Sequence, residues 1–304
     1  MTNELQNLES NIENITFGVE IETSIPAVIQ VGGYHRGRQI EGAPKFQGAA
    51  WSAESDCSIR PERGHVACEF VSPILRGEAG VLHLIEFVVW LQLLGAKVNS
   101  SCGVHVHIGV RGIAATVGEQ AKFIKILSRL ATRNSTALYA QTGTLSREQG
   151  HFCKRAGEAI RKQITVACRK QNAANLGYAM PTSDRYQLLN LCNLPTKGTV
   201  EFRCFAGTLN VDKLLCHLLS VFLLCKVAAR RKSLTNWDPT EQFTGTQALH
   251  NLLKVRPTFS LVQCATFSDR RSEILAKGFE MAAKYDEAKA GRAVIQEIRN
   301  EFNS

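Results

Sequence analysis

The chain has 304 residues, of which 44% are hydrophobic, and this is enough for the core of one large domain or of two closely joined ones. It has no apolar stretch of about 18 residues or more, and its acidic N-terminus lacks the apolar segment of a secretory signal, so we expect a cytoplasmic protein that spans no membrane. The formal net charge of +9 at pH 7 favours anionic partners without choosing among nucleotides, acidic peptides and nucleic acids.

The first third of the chain has the residue pattern of short strands separated by turns. Alternation of apolar and polar residues predicts four strands, the last interrupted at 99–101, over residues 15–23, 51–59, 65–72 and 96–110. Between the last two strands, apolar residues recur at helical spacing and predict a helix from Glu78 to Leu94.

The middle of the chain is predicted to be helical, with capping-box starts at Thr116 and Ser146. Two strand patterns and then two helix patterns follow, over residues 186–191, 199–205, 211–232 and 268–304. Because the strands fall into two separated blocks, we predict an α+β fold with a mainly antiparallel sheet and helices against one side.

The first strand carries two carboxylates on one face. In Phe17-Gly-Val-Glu-Ile-Glu22, Glu20 and Glu22 lie opposite Val19 and Ile21, because residues two apart on a strand point to the same side. Adjacent carboxylates repel each other, so a half-buried pair requires a cation or basic partners. Hard oxygen ligands of this kind suit magnesium.

Two later strands repeat this arrangement with other polar pairs. His105 and His107 share a face opposite three apolar residues, which is typical of metal ligands or phosphate contacts. Glu201 and Arg203 share a face of the strand at 199–205, where a fixed cation can bind phosphate. Each pair alone has an ordinary explanation as a solvated face or a cross-strand salt bridge, but three in one chain favour a site.

Further polar residues extend the pattern. Asp56 and Ser58 follow a strand pattern, and Glu69 lies within an apolar strand, where it needs a polar partner. We expect that partner from a neighbouring strand that offers Arg185, Gln187 and Asn190. The sequence thus predicts a concave sheet face for a metal–nucleotide complex, with helices covering the other face, and its floor contains Glu20, Glu22, Glu69, His105, His107, Glu201, Arg185 and Arg203.

These segments resemble the amidoligase family, a branch of the carboxylate-amine ligases related to glutamine synthetase and glutamate-cysteine ligase. The similar segments are FGVEIE (17–22), WSAESDCSI (51–59), CEFVSPIL (68–75), CGVHVHIG (102–109), RYQLLNL (185–191) and TVEFRCFAGTLN (199–210). The resemblance implies a glutamine synthetase-like catalytic fold. In such a fold a curved, mainly antiparallel sheet binds ATP and two or more Mg²⁺ ions on its concave face, with helices on the convex face.

The resemblance also implies roles for individual residues. The expected metal ligands are Glu20, Glu22, Glu69, Glu201 and His105. His105 and His107, with Arg203 and Ser58, are expected to contact the nucleotide, and which histidine is a metal ligand stays open. Arg203 and Arg185 are expected to meet the phosphates or an acyl phosphate. Apart from the resemblance, the chemistry itself needs a base that deprotonates the amine, and we expect Asp56 or Glu69 in that role.

The resulting hypothesis is an ATP- and Mg²⁺-dependent ligase that joins a carboxylate to an amine through an acyl phosphate. The carboxylate belongs to a small molecule, a peptide or a protein tail; the sequence specifies neither substrate and leaves the oligomeric state open. We expect a tail at 1–14, a catalytic domain at 15–230 and a helical extension at 231–304 packed on it.

Two alternatives remain at this stage. A zinc-dependent hydrolase would use the histidines and glutamates to activate water, but the sequence has neither an HExxH motif nor a three-histidine set. A non-enzymatic module would bind anions or nucleic acid through the basic residues, which are however dispersed and lack interleaved aromatic residues. Tight zinc binding without nucleotide binding would favour the first alternative.

Overall fold

The structure, a computed structural model, describes residues 12–169, 185–231, 243–254 and 256–302. Its strands are β1 (Thr16–Pro26), β2 (Lys45–Phe46), β3 (Ala49–Ala50), β4 (Ser52–Glu54), β5 (His65–Val71), β6 (Leu75–Arg76), β7 (Gly103–Gly109), β8 (Leu189–Asn190) and β9 (Thr199–Ala206). Seven of these strands form one sheet in the order β4-β5-β1-β7-β9-β8, with β6 paired to the start of β1. Neighbouring strands are antiparallel throughout this sheet, which confirms the predicted α+β class with its mainly antiparallel sheet.

Helices occupy most of the chain between and after these strands. A 3₁₀ turn at Ile12–Asn14 precedes β1. The α-helices are α1 (Gly77–Leu93), α2 (Val117–Arg133), α3 (Ser135–Ala140), α4 (Ser146–Gln149), α5 (Glu158–Arg169), α6 (Leu194–Lys197), α7 (Val211–Arg230), α8 (Gly245–Leu253), α9 (Arg256–Leu261), α10 (Ala265–Asp269) and α11 (Arg271–Phe302). None of the helices in the described residues is long and apolar enough to cross a membrane.

Helices α1 and α7 cover the apolar face of the sheet. Phe17 of β1 meets Phe222 of α7 edge to face, with ring centroids 5.2 Å apart. Phe87 of α1 stacks on Trp51 at 3.6 Å and lies 5.4 Å from the ring of Phe70 on β5. Burying one such aromatic side chain contributes about 1.5–3 kcal/mol. This packing fixes which face of each strand is apolar, and the polar residues of β1, β7 and β9 therefore lie on the opposite face.

Several predicted strands are shorter in the structure because the chain turns early. The strand expected over 51–59 ends at Glu54, and the Asp56 side chain then accepts a hydrogen bond from the Ser58 backbone at 2.7 Å, which closes a turn. Asn99 makes a similar turn before β7, accepting from the Ser101 backbone at 2.9 Å. The strand expected over 186–191 is reduced to the two residues of β8.

The two predicted capping boxes differ in outcome. Thr116 and Glu119 form a reciprocal box at the start of α2, as expected. The box at Ser146 is wrong, since α4 has only four residues and no side-chain cap. The Ser146 hydroxyl pairs instead with the Thr144 hydroxyl at 2.9 Å, so it is not directed at the backbone of the helix.

The C-terminal helix α11 packs against α7 and α8 through its first half. Ile274, Ala282 and Tyr285 are buried there, and the Tyr285 hydroxyl donates to Glu148 of α4. Its second half is exposed. The residues of α11 that the structure describes thus reach the short helix that borders the cavity described below.

Candidate active site

Four adjacent strands bring the predicted polar residues into one row across the sheet. The register places Glu22 opposite Glu69 on β5 and Glu20 opposite His105 on β7. On the next pair of strands, His107 lies opposite Glu201 of β9. Residues opposed in this way are close enough for their side chains to interact. We call this set the polar row, and it consists of Glu69, Glu22, Glu20, His105, His107 and Glu201.

His105 lies at the centre of the polar row, and its side chain is only 2% exposed. Its Nδ1 is 3.1 Å from an oxygen of Glu20 and 3.6 Å from an oxygen of Glu201. Its Nε2 lies 3.5 Å from Glu22 Oε1 but has no hydrogen-bond partner. A buried imidazole nitrogen that faces a carboxylate without bonding to it can serve as a ligand atom.

His107 and Glu20 form a close pair of opposite charge. The Nε2 of His107 is 3.0 Å from Glu20 Oε1, although without hydrogen-bond geometry, and its Nδ1 meets the Thr199 hydroxyl at 3.3 Å. Burial opposes the charged form of both groups. The attraction between them, together with the contacts of Glu20 with His105 and the charge of Glu201 near His107, outweighs burial, so the pKa of Glu20 is held well below its usual range and that of His107 is raised.

Glu69 has the opposite electrostatic environment. Burial and the charges of Glu20 and Glu22 raise the pKa of the Glu69 carboxyl to about 9. Among the residues that the structure describes, it forms no ion pair with a basic side chain. Without a cation this carboxyl therefore keeps its proton at neutral pH, whereas a cation bound beside it would favour the charged form and take the place of that proton.

Glu201 is held in place by three donors. The side-chain amides of Asn190 and Asn193 each donate to Glu201 Oε2 at 2.7 Å, and the Arg203 guanidinium pairs with Oε1. The expectation that Asn190 serves Glu69 is therefore wrong. Strand β8 pairs with β9 at one edge of the sheet, whereas Glu69 is on β5 between β4 and β1. Neither of the other two candidates, Arg185 and Gln187, is bonded to Glu69.

The polar row borders a cavity of about 540 Å³, which we call the main cavity. Every residue predicted for the site except His107 lines it: Glu20, Glu22, Asp56, Ser58, Glu69, His105, Arg185, Glu201 and Arg203. Its lining combines the carboxylates of β1, β4, β5 and β9 with the predicted Arg185 and Arg203 and with two further cations that the sequence did not single out. These additional cations are Arg147 and Lys197.

The peripheral predicted residues lie at the mouth of this cavity. Asp56 and Ser58 form the turn after β4 on one side. On the other side, the Arg185 guanidinium lies 4.8 Å from the Tyr186 ring centre and donates to its hydroxyl at 2.8 Å. Arg185 therefore belongs to an aromatic rim and is not bonded to the carboxylates of the floor.

A second cavity of about 520 Å³ adjoins the first and shares Glu20, Val71 and Lys197 with it. His107 lines this second cavity. Its other walls combine glycines with apolar side chains, including the exposed Ile74, and one arginine, Arg111. The two cavities meet where Lys197 lies 3.6 Å from Glu20 Oε1. A mainly apolar cleft that opens onto a charged one is suited to a ligand with an apolar part and an anionic part.

Comparison with known families identifies the chain. The family model described as "putative amidoligase enzyme" matches residues 13–217, which include the whole polar row. The chain belongs to the amidoligase family. No match to an individual curated protein was found. Membership confirms the resemblance seen in the strand motifs and indicates a ligase that acts, in general terms, on a carboxylate and an amine.

The residues of this amidoligase fit a divalent cation. Two groups in the polar row have ligand atoms that all lie within 4.8 Å of one another, namely Glu20, His105 and Glu201, and Glu22, Glu69 and His105. Carboxylate oxygens with an imidazole nitrogen form a hard ligand set. The unpartnered Nε2 of His105 and the crowding of Glu69 against Glu20 and Glu22, which raises the pKa of Glu69, both favour a cation at this position.

Proposed function

We propose that this amidoligase is an ATP- and Mg²⁺-dependent carboxylate-amine ligase, forming an amide or isopeptide bond through an acyl phosphate. The observation that carries the proposal is the main cavity itself, whose lining combines the polar row, apart from His107, with arginine and lysine side chains. The carboxylates suit metal ions, and the cations beside them suit phosphate and carboxylate groups. We further propose a glutamine synthetase-like fold with its catalytic domain at 15–230.

In this proposal the polar row holds the metal. Glu20, Glu22, Glu69, Glu201 and His105 would supply the ligand atoms. Bound Mg²⁺ would neutralise charge on the nucleotide phosphates, which is its usual contribution to phosphoryl transfer. Asn190 and Asn193 keep the Glu201 carboxylate in one orientation through their two hydrogen bonds. Loss of such supporting hydrogen bonds typically lowers metal affinity or activity by about 10–100-fold.

The two adjoining cavities suggest where the nucleotide binds. We propose that its base and ribose occupy the second cavity, where Phe17, Pro73 and Ile74 offer apolar contacts. The phosphates would then lie near Lys197, which lines both cavities. The carboxylate and amine substrates would occupy the main cavity, beside the mouth formed by Tyr186 and Asp56.

The cations that line the main cavity would act on the transferring phosphoryl group. Arg203 is held by Glu201, and the charges of Glu201 and Glu20 outweigh burial and raise its pKa, so it stays charged. Fixed positive charge of this kind stabilises the transition state without reorganisation. Arg185 would make a second contact from the mouth. Asp56 and Glu69 are the two candidates for the base that accepts the proton of the incoming amine.

Calorimetric titration of a nonhydrolysable ATP analogue into metal-free protein, with and without Mg²⁺, tests the proposal. We expect binding only with Mg²⁺. Glu20→Gln should lower the affinity by about tenfold or more, because it removes one ligand charge from the polar row. The matched control, Glu287→Gln on the exposed part of α11, should bind as the wild type does. Nucleotide binding that ignores both Mg²⁺ and Glu20, or tight zinc binding without nucleotide binding, would contradict the proposal.

A further inference from the structure

A third cavity, of about 290 Å³, adjoins the main cavity and shares Ser58, Ser101, Arg147 and Phe152 with it. We call it the serine–arginine chamber. It lies between the turn after β4, the turn before β7 and helix α4. The Ser101 hydroxyl accepts a hydrogen bond from the Arg60 backbone at 3.0 Å, and Asn99 donates to the Arg60 carbonyl at 2.7 Å. Two of its walls are thus hydrogen-bonded to each other.

The chemistry of this chamber differs from that of the polar row. Its lining includes two arginines, Arg60 and Arg147, and four serines, Ser58, Ser100, Ser101 and Ser146. No aspartate or glutamate is among the described residues that line it. The chamber therefore offers positive charge and hydroxyl donors, and this combination suits an oxyanion.

Arg147 is the buried cation of the chamber, with only 7% of its surface exposed. One of its Nη2 hydrogens goes to the Arg203 carbonyl at 2.7 Å, while its Nε has no hydrogen-bond partner. Within the described parts of the chain, no carboxylate forms an ion pair with it. Burying a guanidinium without an ion-pair partner is costly, so its position here points to a ligand that supplies a directly bonded negative charge.

The position of Arg147 is fixed by the backbone beneath it. A Cβ atom added at Gly103, the first residue of β7, would lie 2.8 Å from Arg147 Nη2. The guanidinium therefore lies directly over the start of β7, in the wall between the chamber and the main cavity. A fork of donors in this place can hold an oxyanion at a fixed position relative to the polar row.

We propose that the serine–arginine chamber binds a second oxyanion, a carboxylate or a phosphate, carried by the same substrate whose carboxylate is activated. The inference rests on the proposed function, because it takes the reacting carboxylate to lie on the side of the polar row. It identifies the substrate class as one with at least two anionic groups. A substrate with a single carboxylate would leave Arg147 buried and unpaired.

The test is calorimetric titration of three series of probes into the full-length chain: α,ω-dicarboxylates of four to eight carbons, monocarboxylates of equal length, and ω-phosphonoalkanoates. We expect the best dianion to bind about tenfold or more tightly than the monocarboxylate of equal length. The monocarboxylate lacks the second anionic group and therefore the charge-assisted hydrogen bonds that this group would make in the chamber. Whether the dicarboxylates or the phosphonoalkanoates bind more tightly tells whether the chamber prefers a carboxylate or a phosphate as the second group.

Variants locate this preference in the chamber. Arg147→Gln should abolish it, and Arg147→Lys should retain part of it. Arg60→Gln should weaken dianion binding about threefold or more, and because Arg60 is exposed, this variant should fold even where Arg147→Gln does not. Arg63→Gln, an exposed arginine outside the chamber, serves as the matched control and should bind as the wild type does.

Equal affinity for dianions and monocarboxylates in the wild type would overturn the inference. So would a preference that persists unchanged in folded Arg147→Gln and in Arg60→Gln. Binding of the Mg²⁺–nucleotide analogue is measured separately on the same preparations. If the wild type prefers dianions but does not bind the Mg²⁺–nucleotide analogue, the result counts against the proposed function. If it binds the nucleotide analogue but does not prefer dianions, the result counts against the chamber alone.

Discussion

The hydrogen bonds that hold Glu201 can be tested by Asn190→Leu. Asn190 is buried, donates to the Glu201 carboxylate at 2.7 Å and accepts from the Cys192 backbone at 2.9 Å. A hydrogen bond to a charged group contributes about 2 kcal/mol and one to a neutral group about 1 kcal/mol. The variant should therefore lose about 3 kcal/mol of stability. Because Glu201 becomes less fixed, Mg²⁺-dependent nucleotide affinity should fall about tenfold or more.

Urea unfolding and calorimetric titration measure the two effects. The matched control is Asn134→Leu, which removes an amide that donates to the neutral Leu130 carbonyl at 2.8 Å, far along the chain from the polar row. This control should lose about 1 kcal/mol and keep its nucleotide affinity. Equal stability losses in Asn190→Leu and Asn134→Leu, with unchanged nucleotide affinity in both, would refute the reasoning.

Two further predictions concern other parts of the fold. Gly103→Ala should displace the Arg147 guanidinium, because the new Cβ would lie 2.8 Å from its Nη2, and the variant should lose the preference for dianions. The matched control is Gly118→Ala, where the new Cβ meets nothing within 4 Å, and it should keep that preference. Lys213 has its pKa lowered to about 8 by burial and by neighbouring lysines, so the native state loses its proton before the unfolded state does. Wild-type stability relative to Lys213→Met should therefore rise by about 2–3 kcal/mol between pH 8 and pH 10.5 in urea titrations, and a difference that is constant or falls with pH would contradict this assignment.

The sequence was sufficient to predict an antiparallel sheet in an α+β fold and to predict which face of each strand carries the polar pair. Alternation in β1, β7 and β9 identifies one apolar and one polar face in each strand, and the apolar faces do pack on α1 and α7. It could not predict the register that aligns the pairs, because register depends on hydrogen bonding between distant segments. The predicted lengths of short strands such as β8 were also too long, since turn-forming side chains end these strands early.

The residues that sequence reasoning missed lie outside regular strands. Arg147 belongs to a four-residue helix, Lys197 ends another, and Asn193 precedes that one, so no periodic pattern singles them out. The one available signal was the Asn190–Asn193 spacing, which brings two amides to the same carboxylate. Which charged side chains are buried, and which of them have no hydrogen-bond partner, depends on the folded structure and cannot be read from the sequence.

Activation of a carboxylate as an acyl phosphate can be detected by trapping the intermediate with hydroxylamine. The protein is incubated with ATP, Mg²⁺, hydroxylamine and the carboxylate probe that binds most tightly, and ADP and hydroxamate are quantified. We expect both products to form in equal amounts and only with Mg²⁺, and we expect Arg203→Met to lower both by about a thousandfold or more. Release of ADP without hydroxamate, from a probe that binds, would show that the protein does not form an acyl phosphate.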